Sequence, residues 1–284
     1  MKGRGMNKYS IPRNIWRAIY PILIYLACTI GVMTIAAVAI AISVGDEETA
    51  SALLDQNALL ILSFSFIVGL VVFLPLWIRT KKTHEALNTG KLKPMQIVLV
   101  IATMIFYSLF ATFLILCLPI LEIFPSLENV VKVLSGGDLL LQLVTICLLA
   151  PLLEEFFVRG VVLNRLLTWM NPRVALLISA VIFGAIHQNL FQFINATILG
   201  LLIGYAYIKT KNLTIPILAH MTINTTSQIL GLILNAAGVT SGADVPALAM
   251  SVVSLVAFAV FSVLFYRSTK NTNQNPSMAF PEKN

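Results

Sequence analysis

The chain has 284 residues, of which 58% are hydrophobic and 11% charged, and its mean hydropathy is +0.90. An ordinary soluble domain carries about 45–50% apolar and roughly 25% charged residues, so this composition excludes a water-soluble globular protein and a disordered chain alike. The net charge of +7 does not argue for nucleic-acid binding, because the basic residues fall between apolar runs instead of along one solvated face.

The first apolar run, Ala18 to Val44, follows a basic start (Lys2, Arg4, Lys8, Arg13, Arg17) and is longer than the apolar region of a signal peptide. Residues 1–17 are therefore expected to be an N-terminal tail, and 18–44 a retained first span. Charge-free windows at 57–78 and 95–121 complete three N-terminal helices over 18–121. Between them, 79–94 reads as a short basic helix ended by Gly90 and Pro94. The next window, 139–165, is apolar until Glu154, Glu155 and Arg159 interrupt it.

Residues 174–208 are too long for one crossing, since a single helix would run ~52 Å at about 1.5 Å per residue against a hydrocarbon core of ~30 Å. A break at Gln188–Asn189 gives two short spans. Windows at 213–243 and 245–266 follow, so 122–266 is expected to hold a core of five helices, and 267–284 a polar, disordered C-terminal tail. The fold class is all-α, a polytopic membrane protein of about eight transmembrane helices.

Charge supports that count. With eight spans and both termini in the cytoplasm, 18 of the 19 basic residues lie inside and only Lys132 lies outside. The outer loops collect Asp46, Glu47, Glu48, Asp55, Glu122, Glu128, Asp138 and Asp244. Cys28, Cys117 and Cys147 sit inside apolar runs without a CxxC pair, and read as small core residues, not as a disulfide framework or a zinc site.

Ionisable groups inside spans cost ~2.5–3.5 kcal/mol each near the bilayer centre, so each needs a partner or a function. Here they are Glu154, Glu155 and Arg159, then His187 four residues after Phe183, then His220 four residues before Asn224. Glu155 and Arg159 share a helix face and can pair, while Glu154 is turned ~100° away, towards any chemistry. His220 and Asn224 share a face as well, and Phe183 would form an apolar wall beside His187. Depths of about 16, 21 and 10 Å from the cytoplasmic helix ends let Glu154, His187 and His220 meet in one pocket opening to the cytoplasm.

The bland readings are a buried ion network around Arg159, packing histidines, and an Asn224 that belongs to a polar seam with Thr225, Thr226, Ser227 and Gln228. Asn195 reads as packing, His84 as solvated, and Gly184, Gly200 and Gly204 as close helix contacts.

In order, the motifs are EExxxR (Glu154, Glu155, Arg159), FxxxH (Phe183, His187) and HxxxN (His220, Asn224). This set on successive membrane helices resembles the CPBP family of intramembrane proteases, which includes CAAX prenyl endopeptidases and Abi-type proteins. The apolar stretch from Gly200 to His220 shares the likeness, whereas the three N-terminal helices carry no specific match. The resemblance implies an eight-helix protease. Glu154 and His187 would hold and activate a water there, and His220 with Asn224 would stabilise the oxyanion or leaving group. The family is often described as metallo-, and Glu154, His187, His220 and Asn224 could together ligate zinc. HExxH is missing and an asparagine ligand is unusual, so the zinc-assisted and metal-free routes both stay open.

The expected partners are the lipid bilayer and a peptide or membrane-anchored protein substrate, with no nucleic acid, in the cell membrane. The competing class is non-proteolytic: a bacteriocin self-immunity factor, a scaffold or a transporter. Topology is testable by cysteine labelling. Positions 46–55 and 122–138 should react from outside intact cells, and 79–94 and both termini only after permeabilisation; an outside C-terminus would require an odd number of spans.

Overall fold

The structure is a computed structural model that describes residues 10–82, 90–239 and 245–270. Those residues form α-helices with no strand among them. In chain order they are α1 (Ile11–Val44), α2 (Glu47–Lys82), α3 (Pro94–Leu116), the short α4 (Leu127–Leu134), α5 (Leu139–Leu167), α6 (Pro172–Ala185), α7 (Leu190–Thr210), α8 (Thr214–Ala236) and α9 (Val245–Lys270). Single helical turns are left out of this numbering. Seven of these helices are long and apolar enough to cross a membrane.

The eighth expected span, α6, has only 14 residues. At about 1.5 Å per residue it covers ~21 Å, short of a ~30 Å hydrocarbon core. Pro172 opens it, capped by the Asn171 side chain. The expected break closes it: Gln188 takes a left-handed φ of 55°, and Asn189 caps α7 by accepting from the Phe191 and Gln192 amides.

The apolar windows set the helices' positions but not their ends. α1 begins at Ile11 and carries Arg13 and Arg17 within it. Arg79, Lys81 and Lys82 form the last turn of α2, where basic side chains oppose the helix dipole. Pro94 opens α3 instead of ending a helix, because a first-turn proline has no amide to waste. Of the rest of the expected basic helix, 90–93 is not helical, and 83–89, with His84, lies outside the described residues, as does the tail beyond Lys270. The three cysteines are free; Cys147 is buried, while Cys28 and Cys117 are half-buried at the helix surfaces.

α5 is the element around which the others pack. It is not uniformly α-helical: Leu143–Leu149 and Phe156–Leu163 are π-helical and flank the short α-helical stretch Ala150–Glu155. Wide π-turns re-aim side chains and release backbone groups, and they concentrate at functional sites. α2 and α6 lie against the second π-segment, and α8 lies against the first. On the N-terminal side α1 offers a narrow buried stripe, Asn14, Ala18, Pro21, Tyr25 and Thr29, spaced to face one direction.

Arg165 near the end of α5 fastens that stripe. Its Nη1 donates to the Arg17 carbonyl at 2.8 Å, its Nη2 donates to the Tyr20 hydroxyl at 2.6 Å, and its guanidinium lies over the Tyr20 ring. The Arg17 carbonyl is available because its helical donor would be residue 21, a proline with no N–H.

Small residues join α6 to α7, as expected for Gly184, Gly200 and Gly204. A Cβ at Gly200 would stand 3.0 Å from the Ala180 backbone, and one at Gly204 would stand 2.6 Å from Leu176. Gly200→Val should therefore force α6 and α7 apart and lower stability by ~1–3 kcal/mol, measured as thermal unfolding in detergent. An unchanged midpoint would mean that the two helices are not held at this distance.

Candidate active site

The buried pair is built as helix spacing dictates. Arg159 Nη1 donates to Glu155 Oε1 at 2.8 Å, and both side chains are fully buried. Arg159 Nη2 donates to the Gly200 carbonyl on α7 at 3.0 Å, and its guanidinium lies 4.4 Å from the Phe183 ring. Glu155 Oε1 is also 3.0 Å from His220 Nδ1 on α8. A carboxylate already paired with arginine accepts, so His220 donates from Nδ1 and turns Nε2 the other way.

His187, past the end of α6, is set by the same logic. Its Nδ1 lies 2.9 Å from the Phe183 carbonyl, which can only accept, so Nδ1 is the donor and in a neutral ring Nε2 is left as an acceptor. Both Nε2 atoms face one point. Glu154 Oε2 is 3.9 Å from that of His187 and 4.0 Å from that of His220. Phe183 separates the two imidazoles from the guanidinium and meets each ring edge-on, at centroid distances of 5.3 and 5.4 Å. It is a wall for both histidines, where the sequence suggested one.

Glu154 is 6% exposed, and its Oε2 has no hydrogen-bond partner among the described residues. His187 is the more open member, with 22% of its side chain accessible. Glu154, His187 and His220 thus converge, and Glu155 and Arg159 stand behind His220.

Asn224 is engaged differently. Its Nδ2 donates to the Ile146 carbonyl of α5 at 2.8 Å. In an α-helix that carbonyl would receive the Ala150 amide, which here goes to Thr145; in a π-helix it would receive residue 151, which is proline. Asn224 satisfies an acceptor that Pro151 and the π-turn leave open. Asn195 on α7 accepts from the Tyr107 hydroxyl on α3 at 3.1 Å, a packing contact away from the cluster.

The sequence reading gave α1 no part in the site, yet Tyr25 of α1 stacks on Phe157, one turn beyond Glu154, at 4.7 Å and 14°. The signal was Tyr25's place on a period of three and four with Asn14, Ala18, Pro21 and Thr29. It was hidden because every residue around that stripe is apolar too.

Residues 136–226 match the family model described as type II CAAX prenyl endopeptidase Rce1-like. The likeness to CPBP-family proteases is therefore shown over this segment. The chain is 34% identical over 85 residues to YdiL of Bacillus subtilis (strain 168), whose name describes a membrane peptidase, covering 30% of this chain and 35% of that protein. It is 35% identical over 102 residues to an uncharacterized 24.3 kDa protein of Escherichia coli, covering 34% and 47%. The matched stretches span less than half the length of either relative. No solved structure matches.

The Rce1-like segment contains all three motifs, and its donor set can be tested against zinc. Neutral imidazole and carboxylate are the right kinds of ligand, but two donors on one tetrahedral zinc stand roughly 3.4 Å apart. The separations here are 3.9 and 4.0 Å. Among the described residues no group of three histidine, cysteine or acidic side chains has metal-holding geometry. The arrangement as it stands does not fit a zinc ion.

Arg159→Ala would leave Glu155, the partner of His220, buried without a counter-charge. Breaking a buried pair this way typically costs ~3–5 kcal/mol. The variant should accumulate poorly and unfold at lower temperature in detergent; normal accumulation and stability would mean that the pair does not hold the site.

Proposed function

We propose that this protein is an intramembrane endopeptidase that cleaves a membrane-associated peptide or protein by a water held between Glu154 and His187. The observation that carries this reading is the convergence of Glu154 Oε2, which has no partner of its own, with the free Nε2 atoms of two histidines at 3.9 and 4.0 Å. Glu154 and a neutral His187 could each accept one of a water's two hydrogens, and a buried carboxylate suits general-base work.

In the proposed reaction the water oxygen attacks the peptide carbonyl carbon while Glu154 takes its proton. The carbonyl oxygen becomes an oxyanion. The carbon–nitrogen bond then breaks, and the proton passes from Glu154 to the leaving amine, so that a carboxylate and an amine result. His187 orients the water, and His220, fixed by Glu155 and Arg159, faces the same point from α8. Apolar surroundings exclude bulk water and strengthen each of these interactions. Asn224 acts by clamping α8 to the π-turn beside Glu154, and its second amide hydrogen is committed to no described residue. On the reading that the basic loops are cytoplasmic, both termini lie inside and the pocket opens to that side, where a lipid-anchored substrate would enter. The likeness to CAAX endopeptidases makes a prenylated peptide the first substrate to try.

Purified protein should cleave an internally quenched peptide carrying a farnesylated CAAX cysteine, assayed beside the same peptide without lipid. Glu154→Gln keeps shape and hydrogen bonding but removes the proton acceptor. It should leave thermal stability near wild type and lower cleavage by about 10²–10⁴-fold. Adding His187→Ala should worsen it little, because both residues act on one water. If Glu154→Gln cleaves as well as wild type, Glu154 is not the base; if wild type cleaves neither peptide, the protease reading fails and a binding role such as immunity takes its place.

Metal is a separate test. Cleavage by protein dialysed against a strong chelator should match untreated protein, and elemental analysis should find far less than one zinc per chain. Loss of activity restored by zinc would overturn the direct-water route and require the three donors to close around the ion.

A further inference from the structure

We infer that Gln228 of α8 is a specificity-determining residue of this site, its side-chain amide hydrogen-bonding the substrate backbone about three to four residues beyond the cleaved bond, on the leaving-amine side; this rests on the proteolytic reading above. Peptide groups beside a bond that is being cleaved cannot stay in helical pairing, and hydrocarbon offers them no partner. An intramembrane enzyme therefore has to supply donors and acceptors along the bound chain. The polar seam of α8 supplies them.

Side-chain contacts from α8 to α5 come about one turn apart. His220 Nδ1 is 3.0 Å from Glu155 Oε1, Asn224 Nδ2 donates to the Ile146 carbonyl at 2.8 Å, and Gln228 Nε2 donates to Gln142 Oε1 at 2.7 Å. One side of α8 thus lies along α5 from the catalytic cluster to Gln228, ~12 Å at about 1.5 Å per residue. An extended chain rises about 3.3 Å per residue, so roughly three to four substrate residues cover that length. The orientation of Gln228 is fixed by its partner. Gln142 Nε2 donates to the Ser135 and Gly137 carbonyls at 2.9 and 3.4 Å, so Gln142 offers its oxygen to α8 and Gln228 must meet it with an N–H. The second N–H of Gln228 and its Oε1 have no partner among the described residues. Together they form a donor and an acceptor, the pair that one residue of an extended chain exchanges with its neighbour.

The seam is open where an ordinary membrane helix would hide it. Ile223 is buried, whereas Ser227 is exposed and Asn224, Thr225, Thr226 and Gln228 are half-buried. Such a face is costly against lipid, where polar groups find no hydrogen bonds, and is satisfied against a bound peptide. The lipid anchor holds its end of the substrate at the cytoplasmic side, and on the same topology α8 runs outward from His220. The segment on the seam is therefore the one that leaves as the amine.

Quenched farnesylated peptides with one to five residues after the cleaved bond test this. For wild type, kcat/KM should rise by about 3–10-fold as the chain reaches three or four residues, the worth of one neutral hydrogen bond, and the gain should appear in KM. An ester in place of the peptide bond at that distance removes its N–H and should cancel the gain. Gln228→Met keeps the side chain's length without its hydrogen bonds. Its ratio of long-peptide to short-peptide kcat/KM should fall towards one, and the ester should have no further effect. Both peptides meet the same protein, so a general loss of folding cancels from the ratio. A wild-type ratio that Gln228→Met retains, or a wild-type ratio of one, overturns the assignment: Gln228 then only clamps α8 to α5, and water fills the seam.

Binding separates this inference from the reaction it rests on. Fluorescent peptides of the same lengths, titrated against Glu154→Gln protein, should bind more tightly by a similar factor once they reach Gln228, and adding Gln228→Met should abolish the difference. If wild-type protein cleaves none of the peptides but this difference is seen, the choice of reaction fails and the seam still holds peptide. Affinity that ignores length, or no binding at all, removes Gln228 from the substrate path whatever the enzyme cleaves.

Discussion

A guanidinium with no exposure to solvent, deep in a membrane protein, is the constraint that organises this molecule. Arg159 must be neutralised and hydrogen-bonded where water cannot help, since an unpaired charge there costs several kcal/mol. Glu155 supplies the charge one turn earlier, and the Gly200 carbonyl supplies a second acceptor. The second contact brings α7 close to α5, and α7 must reach that position while packed on α6. A glycine at 200 allows it, because a side chain there would strike Ala180. Phe183, one turn from the end of α6, then covers the face of the guanidinium and simultaneously the edges of both histidines. Helix packing, charge neutralisation and the orientation of His220 are consequences of one ion pair.

A second constraint comes from proline. In a bilayer every backbone group needs a partner inside the protein. Pro21 and Pro151 each deprive an earlier carbonyl of its helical donor, and each orphan is met by a side chain from another helix: Arg165 for Arg17, Asn224 for Ile146. These contacts are specific in a way that apolar packing between membrane helices is not, because only one register satisfies them. They fix α1 and α8 to the two ends of the Glu154 stretch. A polar residue in a span can therefore serve the backbone of its neighbour, and Asn224 does so while lying one turn from His220.

The divided roles of the two glutamates were legible in the sequence because an offset of one residue turns a helical side chain by ~100°, whatever the tertiary context. The break at Gln188–Asn189 was legible from length alone. Three features were not. The π-turns on both sides of Ala150–Glu155 leave no mark in apolar periodicity, although Pro151 hints at the first. The shortness of α6 was hidden because the apolar run continues through the break into α7. The place of α1 beside the site was hidden for a deeper reason: in a membrane protein lipid-facing and protein-facing residues are both apolar, so the period that reveals a soluble helix's buried face is nearly silent.

The short α6 connects these points. A helix of 14 residues that starts near one membrane face ends inside the hydrocarbon region, and irregular backbone at that depth is tolerated only where protein covers it or a cavity adjoins it. At His187 protein covers it. Its amide bonds to Gly184, Asn189 two residues on donates to Ser126 in the segment before α4, and Phe124 packs on Phe191. The loop that ends α6 is thus roofed by the segment between α3 and α4, while its second residue, His187, turns an imidazole towards Glu154. A full-length α6 would carry the 187 position along a regular helix, its backbone satisfied and its side chain free to face lipid. Ending the helix early is what brings an imidazole to mid-membrane beside a carboxylate with no other partner. Every other polar group named in this cluster has at least one hydrogen bond, so that carboxylate is the place where the fold leaves an interaction to be completed by something else.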